Sequence, residues 1–131
     1  MNQFKYISSK TKEEVLKILE QEKSEACIVA GCSNVLPYIK DRKLPAKLLL
    51  NISDIEELNY VKKSEDEIYI GAGTTISDLI NSKIIKEECN ILYQAAEQFA
   101  DPTVRNRATI GGNLADASPA ADMAPPLLAL I

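Results

Sequence analysis

The sequence predicts an α+β fold, and three patterns support this prediction. Residues 26–51 show a strand, a crossover helix and a second strand, an order that is typical of a small parallel sheet. Residues 60–72 show two short alternating runs around a polar turn, which indicates an antiparallel hairpin. Amphipathic helices account for most of the remaining chain. Because the pattern changes near residue 55, we expect two lobes, residues 1–55 and residues 56–131.

The first lobe is predicted to contain an amphipathic helix near its start. Thr11 and Glu14 have the spacing of a capping box, and the helix is expected to end near Lys23. Apolar residues at helical spacing form one face of this helix. They are Val15, Leu16, Ile18 and Leu19.

Two buried strands are predicted next, with a short helix between them. Residues 26–30 are an apolar run that stops at Gly31, and residues 47–51 are a second apolar run. The short helix is expected to begin near Ser33. In parallel units of this kind, ligands bind beyond the carboxyl ends of the strands. We therefore expect a binding loop at Gly31.

The second lobe is predicted to contain the hairpin and then helices. The hairpin strands are residues 60–63 and residues 67–72. Thr75 and Asp78 are expected to cap a helix, and a longer helix follows until the Asp101–Pro102 step ends it. The apolar face of the longer helix is Ile91, Leu92, Ala95, Ala96 and Phe99.

Composition narrows the classes of function. The chain has 131 residues, of which 46% are hydrophobic, so it is rich enough to bury a core. Its net charge is −4, whereas nucleic-acid-binding domains usually carry a basic patch, so we expect no nucleic-acid partner. The apolar run at residues 127–131 is far shorter than the roughly 20 residues that cross a bilayer. The amino end lacks a secretory signal, and we expect a cytoplasmic protein without membrane association.

The titratable residues predict no acid–base or metal chemistry. The chain has no histidine, which removes the commonest general base and metal ligand. Cys27, Cys32 and Cys89 form no CxxC pair and are odd in number, so neither a zinc site nor a disulfide framework is expected. Asp116 and Asp122 lack neighbours that would separate their pKa values. We therefore predict no catalytic and no metal-ligating residue, and expect the chemistry to come from a bound cofactor.

Residues 28–37 have the layout of a phosphate-binding turn. They run from a strand through a glycine turn into a helix, which directs backbone N–H groups toward an anion. The alternative is an ordinary turn in which Gly31 supplies a positive φ and Ser33 caps the next helix.

Residues 108–122, ATIGGNLADASPAAD, give a stronger signal of the same kind. Gly111 and Gly112 permit a positive φ and the close approach of a ligand, and successive N–H groups are expected to face an anion. A helix is expected to begin at Asp122. The alternative is a tight turn followed by a packing seam of small residues.

Two further features each allow two interpretations. Residues 71–75, GAGTT, fit either another cluster of backbone N–H groups or a plain loop. Arg105 and Arg107 either steer an anionic ligand toward the neighbouring turn or are simply solvated.

Three segments taken together resemble one family. They are VAGCSNVLP at residues 29–37, IGAGTTISDL at residues 70–79 and TIGGNLADASPAAD at residues 109–122. In this order and spacing the chain resembles the FAD-binding subunit of the molybdenum hydroxylases, a family that includes xanthine dehydrogenase, carbon monoxide dehydrogenase and nicotinate dehydrogenase. The resemblance covers essentially the whole chain, and TIGGN followed by ASPxxD is its most specific part.

The resemblance implies an FAD-binding domain of the vanillyl-alcohol-oxidase (PCMH) type, in which FAD lies between a small parallel α/β lobe and a larger lobe with an antiparallel sheet. It implies that the second lobe is truncated before its end, so we expect the isolated fragment to bind FAD weakly or not at all and to be inactive. Without histidine, we expect the flavin to be bound non-covalently. The implied cofactor-binding residues are Ile28, Val29, Ala30, Gly31, Cys32, Ser33, Asn34, Val35, Phe99, Thr109, Ile110, Gly111, Gly112, Asn113, Ser118 and Asp122.

The implied roles differ along the chain. Residues 28–35 wrap the pyrophosphate, and residues 109–113 give further backbone and side-chain contacts. Phe99 and Ala100 lie near the flavin ring, and Asp122 contacts the ribose or adenine side. One position departs from the pattern, because many bacterial relatives have a second glycine where this chain has Cys32.

The implied function is electron transfer within a heteromeric complex. An iron–sulfur partner subunit reduces FAD, which then reduces NAD or another acceptor, while a separate large subunit holds the molybdopterin centre and selects the substrate. Two alternatives remain open. One is a non-enzymatic flavin-domain remnant that docks on partner subunits, and the other is a stand-alone flavin oxidoreductase of the same fold.

Overall fold

The computed structural model describes residues 4–41 and 43–130 and divides the chain into two compact units. The first unit is Met1–Glu57 and the second is Leu58–Ile131, with a 3-10 turn at Glu56–Leu58 where they join. The first unit contains a three-stranded parallel sheet and the second a two-stranded antiparallel sheet. The predicted α+β class, with one sheet of each kind, is therefore confirmed.

The first unit is built on the parallel sheet. Its elements are β1 (Lys5–Ser8), α1 (Lys12–Glu22), a 3-10 turn (Lys23–Glu25), β2 (Ala26–Val29), α2 (Val35–Lys40) and β3 (Leu48–Asn51). The strand order is β1-β3-β2, and both outer strands pair parallel to β3. The predicted strand, helix and strand are confirmed as β2, α2 and β3.

The sequence pattern did not predict β1. Its four residues, KYIS, alternate too briefly to indicate a strand, and Tyr6 is 56% exposed. The strand forms because its backbone pairs along β3, from Lys5 opposite Leu48 to Ser8 opposite Asn51.

Burial separates the central strand from its neighbours. The leucines of β3, Leu48–Leu50, are at most 5% exposed. β2 was predicted to be buried, but Val29 is its buried residue and Ile28 is 47% exposed, because β2 lies at an edge of this sheet. In α1, Val15 is buried as expected, whereas Leu16 is 66% exposed and does not belong to the packed face.

The second unit begins with the predicted hairpin and continues as a series of short helices. Its elements are β4 (Val61–Lys63), β5 (Ile68–Ile70), α3 (Ile76–Asn81), α4 (Lys83–Glu88), α5 (Asn90–Gln98), α6 (Pro102–Arg105), α7 (Ile110–Asp116) and α8 (Ala124–Leu128). Side chains from most of these helices form one core cluster. Its members are Ile76, Leu79, Ile85, Cys89, Leu92, Ala96, Ala108, Ile110 and Met123.

Two helix starts predicted from the sequence are confirmed by their hydrogen bonds. The Thr11 hydroxyl accepts the N–H of Glu14 at 3.2 Å at the start of α1. At the start of α3, Thr75 Oγ1 accepts the N–H of Asp78 at 3.1 Å, and Asp78 Oδ2 accepts the N–H of Thr75 at 3.1 Å. This second pair is a complete capping box.

Several features of the second unit correct the prediction. α4 was not predicted, and Ile91, which was assigned to the apolar face of α5, is 47% exposed. The longer helix ends at Gln98, and Asp101 caps α6 instead of only ending α5, since its Oδ1 accepts the N–H of Thr103 at 2.8 Å.

The last helix also differs from the prediction, because it begins at Ala124 with Met123 as its N-cap and not at Asp122. Pro125 and Pro126 explain this start. Proline is tolerated only in the first turn of a helix, so the helix starts immediately before the two prolines.

Candidate cofactor-binding site

Loop 30–34 connects the carboxyl end of β2 to α2. Cys32 adopts the left-handed conformation with φ 57, whereas none of the described glycines has a positive φ. The alternative interpretation, in which Gly31 supplies the left-handed residue of an ordinary turn, is therefore wrong in this detail. Ser33 does not cap α2 either, because the N-cap is Asn34, whose side chain makes no capping bond.

Two backbone donors in loop 30–34 are unused. In the part of the chain that the structure describes, the N–H groups of Gly31 and Ser33 donate to no acceptor. Ser33 is exposed and Gly31 half-buried, so both are near solvent. Nearby, burial raises the pKa of the Cys27 thiol, and the Cys32 thiol adds to this rise. The loop therefore offers main-chain donors at the carboxyl end of a parallel strand, where an anion is favoured.

Segment 109–113 is the first turn of α7 and not an open loop. Thr109 is the N-cap, and its Oγ1 accepts the N–H of Gly112 at 3.0 Å. The N–H of Ile110 donates to Thr74 at 3.0 Å, and that of Gly111 donates to Ala72 at 2.9 Å. The N–H of Asn113 donates to the Thr109 carbonyl at 3.0 Å. The backbone donors expected to face an anion are thus bonded within the protein.

The two glycines of this segment are explained by packing. A Cβ on Gly111 would lie 2.6 Å from both the Cβ and the carbonyl oxygen of Ala72. A Cβ on Gly112 would lie 2.8 Å from Thr109 Oγ1. Neither glycine uses the positive φ that the absence of a Cβ permits. Gly111 instead lets the start of α7 approach the loop that follows β5.

The residues after α7 form a closed turn. Ala117 ends α7 in the left-handed conformation with φ 50. The Ser118 hydroxyl accepts the N–H of Ala120 at 3.3 Å, and Asn113 Oδ1 accepts the N–H of Met123 at 3.2 Å. Asp122 is exposed beside this turn. Asn113 Nδ2 bonds to no acceptor among the described residues, so this amide still has free donors.

Phe99 lies at the end of α5, half-buried against the core cluster. Its carbonyl accepts a hydrogen bond from Arg105 Nε. Arg105 was predicted either to steer an anion or to be solvated, and the structure adds that its guanidinium bonds to backbone carbonyls. Arg107 is exposed.

Sequence reasoning missed the partners of segment 109–113. Ala72 and Thr74 accept its backbone bonds, and Thr75 pairs with Thr109 in an isolated antiparallel bridge. The GAGTT turn that contains them was noted, but with two interpretations. In this turn the N–H groups of Gly71, Gly73 and Thr74 donate to backbone carbonyls. A Cβ on Gly71 would lie 2.2 Å from the Leu58 carbonyl oxygen, so the turn is closely packed.

The described residues form neither a metal site nor a membrane span. Across residues 4–41 and 43–130, no group of three or more cysteine, aspartate or glutamate side chains is placed to hold a metal ion. No helix in the same residues has both the length and the apolar character needed to cross a membrane.

The family model described as FAD binding domain in molybdopterin dehydrogenase matches residues 2–130. The chain is 36% identical over 128 residues to the glyceraldehyde dehydrogenase medium chain of Sulfolobus acidocaldarius, which covers 98% of this chain and 45% of that protein. It is 36% identical to the nicotinate dehydrogenase FAD-subunit of Eubacterium barkeri, over 93% of this chain and 42% of that protein.

A solved structure is similar to this chain as well. The carbon monoxide dehydrogenase from Hydrogenophaga pseudoflava that lacks the Mo-pyranopterin moiety of its molybdenum cofactor superposes with a TM-score of 0.83 at 38% identity, over 87% of this chain and 40% of that chain. The chain therefore belongs to the family of FAD binding domains in molybdopterin dehydrogenases. It spans less than half the length of these relatives.

Proposed function

We propose that the complete protein containing this chain is the FAD-binding subunit of a molybdenum-containing hydroxylase or dehydrogenase. In this role it passes electrons from iron–sulfur clusters through FAD to NAD or another acceptor. Family membership supports the proposal, as do relatives named as medium chains and FAD-subunits of dehydrogenases. The proposed partners are an iron–sulfur subunit and a large molybdopterin subunit, and the proposed location is the cytoplasm.

The proposal depends on one observation, the backbone N–H groups of loop 30–34 that donate to no acceptor among the described residues. The unused N–H groups of Gly31 and Ser33 suit a diphosphate, which needs several donors around its negative charge. Cys32 stands in the left-handed conformation where the family pattern has glycine. The donors therefore fit FAD at this loop.

We propose that FAD contacts the residues that the family resemblance implies, with one change in the atoms that make the contact. In segment 109–113 the contact comes from the Asn113 side chain, because the backbone donors are already bonded. Phe99 lies near the flavin ring, and Ser118 and Asp122 contact the rest of the cofactor. The domain type is that of vanillyl-alcohol oxidase, and the FAD is bound non-covalently because the chain has no histidine.

The residues of this chain bind and orient the cofactor. FAD, when bound, supplies the electron-transfer chemistry, and the protein sets its position and electrostatic surroundings. This assignment agrees with the sequence, which offers no acid–base pair of its own.

A second candidate is a docking module that holds no cofactor. One specific observation favours it: the backbone N–H groups of residues 110–113 are all bonded within the protein. A module of this kind would keep the fold and the partner surface while binding no flavin.

Flavin binding separates the two candidates. The complete protein is purified, its absorbance is recorded at about 450 nm, where oxidised flavins absorb, and FAD is titrated by fluorescence. In Ser33→Asp a carboxylate enters the loop beside the diphosphate, so we expect FAD affinity to fall at least about tenfold. Ser24→Asp, at an exposed serine of the same unit, is the matched control and should leave affinity unchanged.

The outcomes are distinct. Colourless protein that does not take up added FAD would support the docking module. Equal effects of the two serine substitutions would contradict the assignment of loop 30–34 to the diphosphate. Co-purification with iron–sulfur and molybdenum subunits would exclude a stand-alone flavin enzyme.

A further inference from the structure

One side chain closes the end of α5. Arg105 Nε donates to the Phe99 carbonyl, and Nη2 donates to the carbonyls of Glu97 at 2.6 Å and Ala100 at 3.3 Å. The last carbonyls of a helix lack partners within the helix, and a cation is favoured beside them. The guanidinium therefore ties the last turn of α5 to the two residues that follow it.

The corner formed by Phe99 and Ala100 is strained. Ala100 has φ 41, a region that costs a non-glycine residue about 1 kcal/mol or more. Such a conformation persists only where surrounding contacts fix it. On one side Arg105 supplies these contacts, and on the other Asp101 caps α6 by accepting the N–H of Thr103. Strain of this kind is concentrated at binding and catalytic sites.

We propose that Arg105 is a positioning residue, which fixes the Phe99–Ala100 corner against the flavin ring of bound FAD. The inference rests on the proposed function, in which Phe99 lies near that ring. Arginine suits the task because its planar group presents several donors in a fixed fork, whereas lysine is a single flexible charge. Loosening the corner lets the Phe99 ring move and changes the surroundings of the flavin.

The test uses the complete protein loaded with FAD. Arg105→Lys keeps the charge and loses the fork, so we expect FAD affinity to fall about tenfold and the visible circular dichroism of the flavin to change. Arg107→Lys is the matched control, since Arg107 is exposed and its guanidinium makes no hydrogen bond or ion pair in the described part of the chain. It should leave both measurements unchanged.

A double-mutant cycle identifies the route of the effect. If Arg105 acts through Phe99, then Arg105→Lys has little further effect on FAD affinity once Phe99→Leu is present. Additive losses would overturn the proposal, because Arg105 would then act independently of Phe99.

A second variant covers the case in which Arg105→Lys fails to fold. Ala100→Gly keeps every bond donor of Arg105 and removes the strain at φ 41, so the corner stays fixed if Arg105 holds it. We expect the flavin dichroism to stay unchanged in this variant, and a changed spectrum would overturn the proposal, because the corner would then depend on the Ala100 side chain and not on Arg105. If Arg105→Lys leaves FAD affinity unchanged while Ser33→Asp lowers it, this inference is overturned and the proposed function stands. Protein that binds no FAD would overturn the proposed function as well.

Discussion

Loop 30–34 and segment 109–113 have similar small-residue, glycine-containing sequences but use their backbones in opposite ways. In loop 30–34 the left-handed residue is Cys32, and the N–H groups of Gly31 and Ser33 donate to no acceptor among the residues that the structure describes. In segment 109–113 every backbone donor from Ile110 to Asn113 is bonded within the protein. The comparison shows that a glycine can be required by close packing as readily as by an unusual φ or by a ligand.

The largest expected effect is on segment 109–113. In Gly111→Ala the new Cβ meets the backbone of Ala72, which cannot move aside, so we expect the free energy of unfolding to fall by about 2 kcal/mol. Urea denaturation of the complete protein measures this loss. Gly112→Ala is the comparison variant: its new Cβ meets only the Thr109 hydroxyl, so we expect a smaller loss, no more than the roughly 1 kcal/mol of an N-cap bond. Equal stability of Gly111→Ala and the wild type would show that the glycine serves a ligand and not packing.

A smaller effect is expected at the start of α7. Thr109→Ala removes the oxygen that accepts the Gly112 N–H, while Thr109→Ser keeps it. The alanine variant should be less stable than the serine variant by about 1 kcal/mol, the usual value of an N-cap bond. Thermal unfolding of the two proteins gives this difference directly. If they unfold at the same temperature, the cap does not hold the segment.

The smallest expected effect is on loop 30–34. Cys32→Gly removes the free-energy cost of placing a residue with a Cβ in the left-handed backbone region. The greater conformational entropy of glycine in the unfolded chain offsets part of this gain in stability. We expect the glycine variant to be more stable than Cys32→Ala by about 0.5 kcal/mol, since both lack the thiol and only alanine keeps a Cβ. Denaturation curves of the two variants compare them. A more stable alanine variant would contradict the left-handed assignment.

Much of the fold follows from patterns that are local in the sequence. Thr75 and Asp78 cap α3 through atoms three residues apart, and the β4–β5 hairpin follows from alternation around a short turn. These features depend on neighbours along the chain, so the sequence alone predicts them.

The candidate site was harder to predict. The sequence marked both glycine segments and allowed a positive φ at their glycines, Gly31, Gly111 and Gly112, whereas the residue that adopts one is Cys32. It also left Arg105 as a solvated or steering charge, whereas the structure bonds it to three carbonyls. Propensity favours glycine at positive φ, but surrounding contacts can impose that conformation on another residue.

By itself the sequence determined the α+β class, the order of β2, α2 and β3, the caps of α1 and α3, and the family to which the chain belongs. Only the tertiary structure decided that β1 pairs with β3 and that Gly111 packs on Ala72. The physical reason is how far apart the interacting residues lie in the sequence. Caps and turns are made between residues a few positions apart, whereas strand pairing and close packing join segments that are distant in the sequence and meet only in the folded chain.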